Sequence, residues 1–241
     1  MNESRIQFTQ ISLLNVLLVG RYGGIINVAE IKKIGNMAIG TMDRLDGEML
    51  MIDGVVYQAC ADGHVCLPTE KETIPFGMVA DFHTEQELCL NEILNYEQFE
   101  DRMKVVCPQT NSPLAIRFTG RFTHMKVRTV RRQEQDGIGL AEVAKDEALF
   151  DLYDTSGDLV GFYLPGYVQG INASGWHLHF MDSDRKSGGH VVNFSIHEGL
   201  LHLCHATDYH ICLPASTANV LSELDPNRDW SREVTLAEAE R

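Results

Sequence analysis

The segment GWHLHFMDSDRKSGGHV, residues 175 to 191, sets His177, His179 and His190 around one short polar loop with no cysteine among them. Side chains alternate along an extended strand, so His177 and His179 leave one face while Trp176, Leu178 and Phe180 leave the other. The loop DSDRKSGG can reverse the chain and return His190 beside the pair, with Val192 and Phe194 continuing its face. Three neutral imidazoles without thiolate form the ligand set of a catalytic zinc site, which keeps positions open for water or substrate. Imidazole also suits iron, copper or nickel. A cupin-type site would want a glutamate shortly after His-x-His, and residues 180 to 189 contain none. Against any metal stands the bland reading of packed or surface histidines. The chain has ten, and His197, His202, His205 and His210 are expected on turns or a solvated strand face.

The elements that must position these groups follow from periodicity. Apolar residues at 11, 13, 14 and 16 to 18 predict a helix over 10–19, and a second helix over about 28–34 ends at Gly35. MLMIDGVVYQAC carries two apolar runs around Asp53-Gly54, a strong hairpin signal. Asn95 with Gln98 opens a helix over about 96–106, before Pro108. Strands are expected at 114–119 and 124–130, then an exposed polar loop RRQEQDGIG and a short helix near 140–149. Further strands are expected at 159–163, 176–181, 190–196 and 200–205, with a His-Glu-Gly turn between the last two. The expected fold is α+β. An N-terminal part with a mixed sheet and helices (1–150) packs against a C-terminal, mainly antiparallel, barrel-like part (151–241) that carries the histidines.

Composition narrows the partners. Twenty basic against 34 acidic residues give a net charge of −14 over 241 residues, which opposes a nucleic-acid or anionic-membrane surface. A small anionic substrate would need a local arginine. The apolar run ISLLNVLLVG is too short to span a bilayer and lacks the flanks of a signal peptide, so a cytoplasmic location is expected. The six cysteines are scattered without C-x-x-C spacing and are expected as mostly buried free thiols.

Taken in order, GTMDRLDGEMLMIDGVVYQ (40–58), IPFGMV (74–79), VRTV (127–130), LVGFYLPGY (159–167) and the histidine segment resemble the bacterial alpha-acetolactate decarboxylases. The likeness runs over most of the chain and is densest in G-[aromatic]-H-L-H-F followed by D-R-K-x-G-G-H-V. It implies a homodimeric zinc enzyme that converts 2-acetolactate, a 2-hydroxy-3-oxo acid, to acetoin and carbon dioxide. On that resemblance His177, His179 and His190 match the zinc ligands, Glu48 the active-site glutamate and Arg128 the active-site arginine. Glu238, in LAEAER, matches a second glutamate near the C-terminus, with Glu233 and Glu240 as alternatives, and Thr41 lines the pocket. The family's usual proline and Pro-Tyr pair after V-R-T-V is replaced here by RRQEQDGIG.

The residues suit such chemistry. Loss of carbon dioxide from a β-keto acid leaves an electron pair that must be held as an enolate, which a Lewis-acidic ion stabilises. Neutral histidines leave the ion's charge undiluted. Arg128 can grip a carboxylate through its planar fork, and Glu48 or Glu238 can donate or relay the proton. Local sequence alone would instead make Glu48 a solvated turn residue and Arg128 surface charge. Two other readings fit the histidines: a three-histidine zinc hydrolase and a non-catalytic metal or small-molecule binding module.

Overall fold

The computed structural model describes residues 5–108, 111–213, 221, 224, 225 and 227–238, the last four by backbone alone. In chain order its elements are β1 (Gln7–Ile11), α1 (Leu14–Leu18), β2 (Ile26–Asn27), α2 (Val28–Ile31), β3 (Met37–Thr41), β4 (Glu48–Ile52), β5 (Val55–Ala59), β6 (Val65–Cys66), β7 (Thr73–Ile74) and β8 (Phe76–Ala80). There follow β9 (Gln86–Leu90), β10 (Leu94–Asn95), α3 (Tyr96–Val106), β11 (Leu114–Thr129), α4 (Leu140–Val143), β12 (Ala148–Leu164), β13 (Gly175–Asp182), β14 (Gly188–His205), β15 (Asp208–Cys212) and α5 (Ser231–Glu238).

Two sheets carry the fold. The first runs β15-β1-β8-β3-β4-β5-β6 and is mixed, because β15 lies parallel to β1 while the other neighbours are antiparallel. The second is antiparallel, and β14 pairs with β11 along most of its length and with β13 at its start. Since β11 also pairs with β12, and β12 with β13, these four strands close into a ring. This is the expected α+β class with a barrel-like antiparallel part. Residue 150 lies inside β12, and β11 ahead of it belongs to the antiparallel sheet.

Alternation distributes the apolar residues. In the first sheet Met37, Ile39, Leu50 and Ile52 face the second sheet and pack on Val160, Phe162 and Met181. Ala38, Met49 and Met51 point to the opposite side, where α2 covers them. Burial on both faces explains the nearly unbroken apolar run of β4. Inside the ring, Phe118, Phe122, Leu178, Phe180 and Phe194 form an aromatic core that α3 closes with Phe99 and Met103.

Several local signals read as expected. Asp53 and Gly54 adopt positive φ of 51° and 75°, the turn required between β4 and β5. Helix α3 spans Tyr96–Val106 behind a reciprocal capping box of Asn95 and Gln98. Asn27 and Glu30 form a second box, but α2 is regular only over Val28–Ile31.

Other expectations are corrected. The helix over 10–19 is β1 up to Ile11 and α1 from Leu14, broken at Ser12, whose φ is 65°. The helix near 140–149 is one turn of α4 and a 3-10 turn at Ala144–Asp146, after which β12 begins. The strand pairs on either side of residues 120 and 198 are single long strands. No turn forms at His197-Glu198-Gly199, because Gly199 sits directly opposite Gly120. A Cβ on Gly199 would lie 2.4 Å from the Phe118 ring, so the glycines allow the strands to pass closely rather than reverse. Val192 is a bulged extra residue opposite Lys126–Val127, so Phe194 turns into the aromatic core and does not continue the face of His190. All six cysteines are free thiols, but only Cys107 and Cys204 are buried. His202 and His205 are half-buried on opposite faces of β14, against Glu87 and Glu85 respectively.

Candidate active site between the two sheets

The register of the second sheet assembles the site. Arg128 on β11 is the direct cross-strand partner of His190 on β14, and His190 is the direct partner of His179 on β13. Directly opposed residues share a face. One row therefore crosses three strands, and His177 stands beside it, two residues before His179. Leu178 and Phe180 turn the other way into the ring core, so the imidazoles face the first sheet.

The imidazole nitrogens of His177, His179 and His190 lie within 4.8 Å of one another. His190 Nδ1 is 3.1 Å from His177 Nε2. His179 donates from Nδ1 to the Met49 carbonyl at 3.1 Å, which leaves its Nε2 as the lone-pair nitrogen. That Nε2 is fully buried and has no hydrogen-bond partner. An orphaned acceptor in a cluster of imidazoles suits a divalent cation, and the second-side hydrogen bond is what metal-bound histidines usually make. Burial, then the neighbouring His177, hold His179 well below the usual imidazole pKa against the opposing Met49 bond, and Arg128 adds to the lowering. Burial and then Arg128 do the same to His190. Both rings are thus neutral at pH 7, the form that can ligate.

The first sheet supplies the facing wall. Glu48, first residue of β4, is in phase with Leu50 and Ile52 and so points at the second sheet. It is 8% exposed, and its Oε2 lies 3.7 Å from His179 Nε2. The tight turn ahead of it aims it inward. Gly47 has φ of 80°, and a Cβ there would meet the Ala59 carbonyl at 2.2 Å. Thr41, cross-strand partner of Glu48, donates its hydroxyl to the Gly47 carbonyl at 2.9 Å and pins the same turn. Its oxygen can still accept a bond from a ligand.

Arg128 is 6% exposed, with Nη2 3.2 Å from His190 Nε2 and Nη1 donating to Glu147 Oε2 at 2.9 Å. Thr41, Glu48, Arg128, His177 and His190 border one cavity of about 50 Å³, whose remaining wall is apolar and includes Leu14, Leu17, Phe76 and Leu140. Helices α1, α4 and α5 pack together over that wall through Leu14, Leu17, Leu140, Val143 and Val234. A small anionic, partly apolar molecule suits this cavity: a guanidinium for its carboxylate, a cation site for its oxygens and leucines for its alkyl groups.

The histidine spacing points to His177, His179 and His190, and the family resemblance to Thr41, Glu48 and Arg128; the structure brings these six together. Glu48 and Arg128 are buried, against the local expectation of solvated residues. The side chain of Glu238 and the whole of Glu240 lie outside the described residues; Glu233 accepts from Arg228 on the surface of α5. The sequence reading missed Glu147 and the Met49 carbonyl. Glu147 falls within the helix that the sequence predicts near 140–149, and only the register of β11 with β12 reveals that it shares a face with Arg128.

Comparison with known proteins identifies the family and the fold. The family profile described as alpha-acetolactate decarboxylase matches residues 8–225. An alpha-acetolactate decarboxylase of Methanosarcina mazei is 36% identical over 219 residues, 90% of this chain and 76% of the relative. That of Bacillus licheniformis is 36% identical over 208 residues, 86% and 82% of the two chains. The crystal structure of alpha-acetolactate decarboxylase from Bacillus subtilis strain 168 superposes with a TM-score of 0.92 at 31% identity, covering 96% of this chain and 99% of that one. The chain belongs to the alpha-acetolactate decarboxylase family, whose members are carboxy-lyases.

Proposed function

We propose that this protein decarboxylates 2-acetolactate to acetoin and carbon dioxide, with a zinc ion held by His177, His179 and His190. The observation that carries the reading is the convergence of a three-imidazole cluster, a buried arginine and a buried glutamate on one small cavity. When bound, the ion supplies positive charge beside the ketone oxygen on which negative charge develops as carbon dioxide leaves.

The remaining work falls to the chain. Arg128 receives the substrate carboxylate and turns the carboxylate–C2 bond toward overlap with the adjacent carbonyl. Thr41 accepts a hydrogen bond from the substrate hydroxyl. The leucine and phenylalanine wall takes the methyl groups and excludes water, which strengthens every electrostatic contact inside. Glu48 delivers the proton to C2 from one side, giving acetoin of one handedness. On the family resemblance Glu238 is the second glutamate of the proton path, and the enzyme works as a cytoplasmic homodimer.

The test is purified protein of measured metal content mixed with racemic acetolactate while acetoin and carbon dioxide are followed, beside a His177→Ala, His179→Ala double variant. Acetoin release that scales with bound zinc and disappears in the variant supports the reading. One equivalent of bound zinc without acetoin would overturn it.

A further inference from the structure

Glu147 stands one residue ahead of β12, two positions from Leu149, the cross-strand partner of Arg128. It is therefore the diagonal neighbour of Arg128 on the same face, a spacing that long side chains bridge. Its Oε2 accepts from Arg128 Nη1 at 2.9 Å, and the two side chains are only 4% and 7% exposed. Arg128 Nη2 meanwhile lies 3.2 Å from His190 Nε2. The guanidinium thus spans the distance between a buried carboxylate and the histidine cluster.

We propose that Glu147 is a positioning residue acting through Arg128: it holds the guanidinium in place and offsets its charge. The proposal rests on the decarboxylase reading above. In that reaction the bond between the carboxylate carbon and C2 breaks, its electron pair moves into the neighbouring carbonyl, and the carboxylate leaves as neutral carbon dioxide. Negative charge drains from the carboxylate on the way to the transition state. An uncompensated cation at that point stabilises the bound substrate more than the transition state and opposes the reaction. A permanent cation beside His190 also repels a divalent ion in the same cluster. One buried carboxylate on the far side of the guanidinium relieves both effects and keeps the N–H groups that orient the substrate.

The experiment compares the zinc-loaded full chain with Glu147→Gln, Glu147→Asp and the double variant Arg128→Gln, Glu147→Gln. Zinc affinity is read by competition with a chromophoric chelator, and kcat and KM by acetoin release. Glu147→Gln is expected to weaken zinc binding about tenfold, the low end of what loss of a partner behind a ligand costs. It should also lower kcat about tenfold without raising KM, since the substrate carboxylate is then held more strongly, not less. Glu147→Asp, which keeps the charge, should restore zinc affinity to within about threefold of wild type, and so should the double variant, which removes both charges. A structural ion pair without this role predicts otherwise: unchanged zinc affinity and kcat in Glu147→Gln, or raised KM with kcat intact, overturns the proposal. If Glu147→Gln does not fold, the double variant decides, and zinc binding about tenfold weaker than wild type in that folded protein overturns it. A wild-type protein that binds zinc but forms no acetoin removes the decarboxylase reading, and the claim for Glu147 is then decided by the zinc affinities alone.

Discussion

His179 Nδ1 donates to the main-chain carbonyl of Met49 across 3.1 Å, so a histidine of the second sheet is tied to the residue that follows Glu48 on the first. The bond sets the tautomer of His179, and it also sets the spacing between the metal candidates and the facing glutamate. Replacing His179 by alanine removes a ligand and the side-chain donor to the Met49 carbonyl, a loss of about 0.5–1.5 kcal/mol. His177 is only half-buried. We expect both single alanine variants to lose zinc on dialysis, but His179→Ala alone to lower the urea midpoint of the metal-free protein. Equal midpoints would show that the Met49 bond contributes nothing to docking the sheets.

Arg128 separates carboxylate chemistry from hydrolysis. Arg128→Lys keeps a charge and loses the planar fork. Misplacing a substrate by about 1 Å is worth roughly 10²-fold, so kcat/KM toward acetolactate should fall by about that factor. Any side activity on a neutral ester such as p-nitrophenyl acetate should be little affected. A variant that hydrolyses the ester poorly and decarboxylates normally would favour the hydrolase.

Glu48→Gln keeps the shape of the side chain and the Thr41–Gly47 turn while removing the acid. General acid–base contributions of about 10²–10⁴-fold set the expected loss in kcat. Residual acetoin, resolved by chiral gas chromatography, should approach a racemic mixture, because solvent then protonates either face. Full handedness retained at reduced rate would move the proton donor elsewhere, with Glu238 the next residue to substitute.

Legibility from sequence followed the range of the interactions. The capping box at Asn95 and Gln98 and the Asp53-Gly54 turn depend on a few adjacent residues, and both were readable. His177 and His179 were readable as a pair because a strand period of two needs no partner. What failed was long-range. A run such as Thr9 to Leu18 is equally apolar as strand or helix, and only pairing of Phe8–Ile11 with Gly77–Ala80 makes its first half β1. Gly199 looked like a turn because its reason, the facing Gly120, is 79 residues away. Glu48 looked solvated because nothing local shows the second sheet closing over it. The family resemblance supplied Glu48 and Arg128, and the register explains why they can serve: the row Arg128, His190, His179 exists only once three strands are aligned. Glu147 escaped both routes.

Acid stability offers a test far from the site. Asp158, 4% exposed, accepts from Thr119 Oγ1 at 2.6 Å and pairs with Arg117 Nε at 3.2 Å and Arg185 Nη2 at 2.8 Å. Burial pushes its carboxyl pKa up, but the Thr119 hydrogen bond and the two arginines outweigh burial, and the net shift is downward. Arg117 also reaches Asp53 at the β4–β5 turn at 2.8 Å, so the cluster fastens the two sheets together. With the folded pKa below the unfolded value near 3.9, the unfolded chain takes up the proton first as pH falls. The stabilisation is therefore complete above about pH 4 and is lost as pH drops through the folded pKa. Asp158→Asn removes the buried carboxylate that two arginines share, leaving Arg117 with Asp53, and should cost about 3 kcal/mol at pH 7, the low end for a broken buried pair because both arginines keep some water. The gap between the two proteins' urea midpoints, measured from pH 7 to pH 3, should narrow once the pH falls below about 4. A constant gap across that range would mean that the Asp158 charge plays no part in holding the sheets.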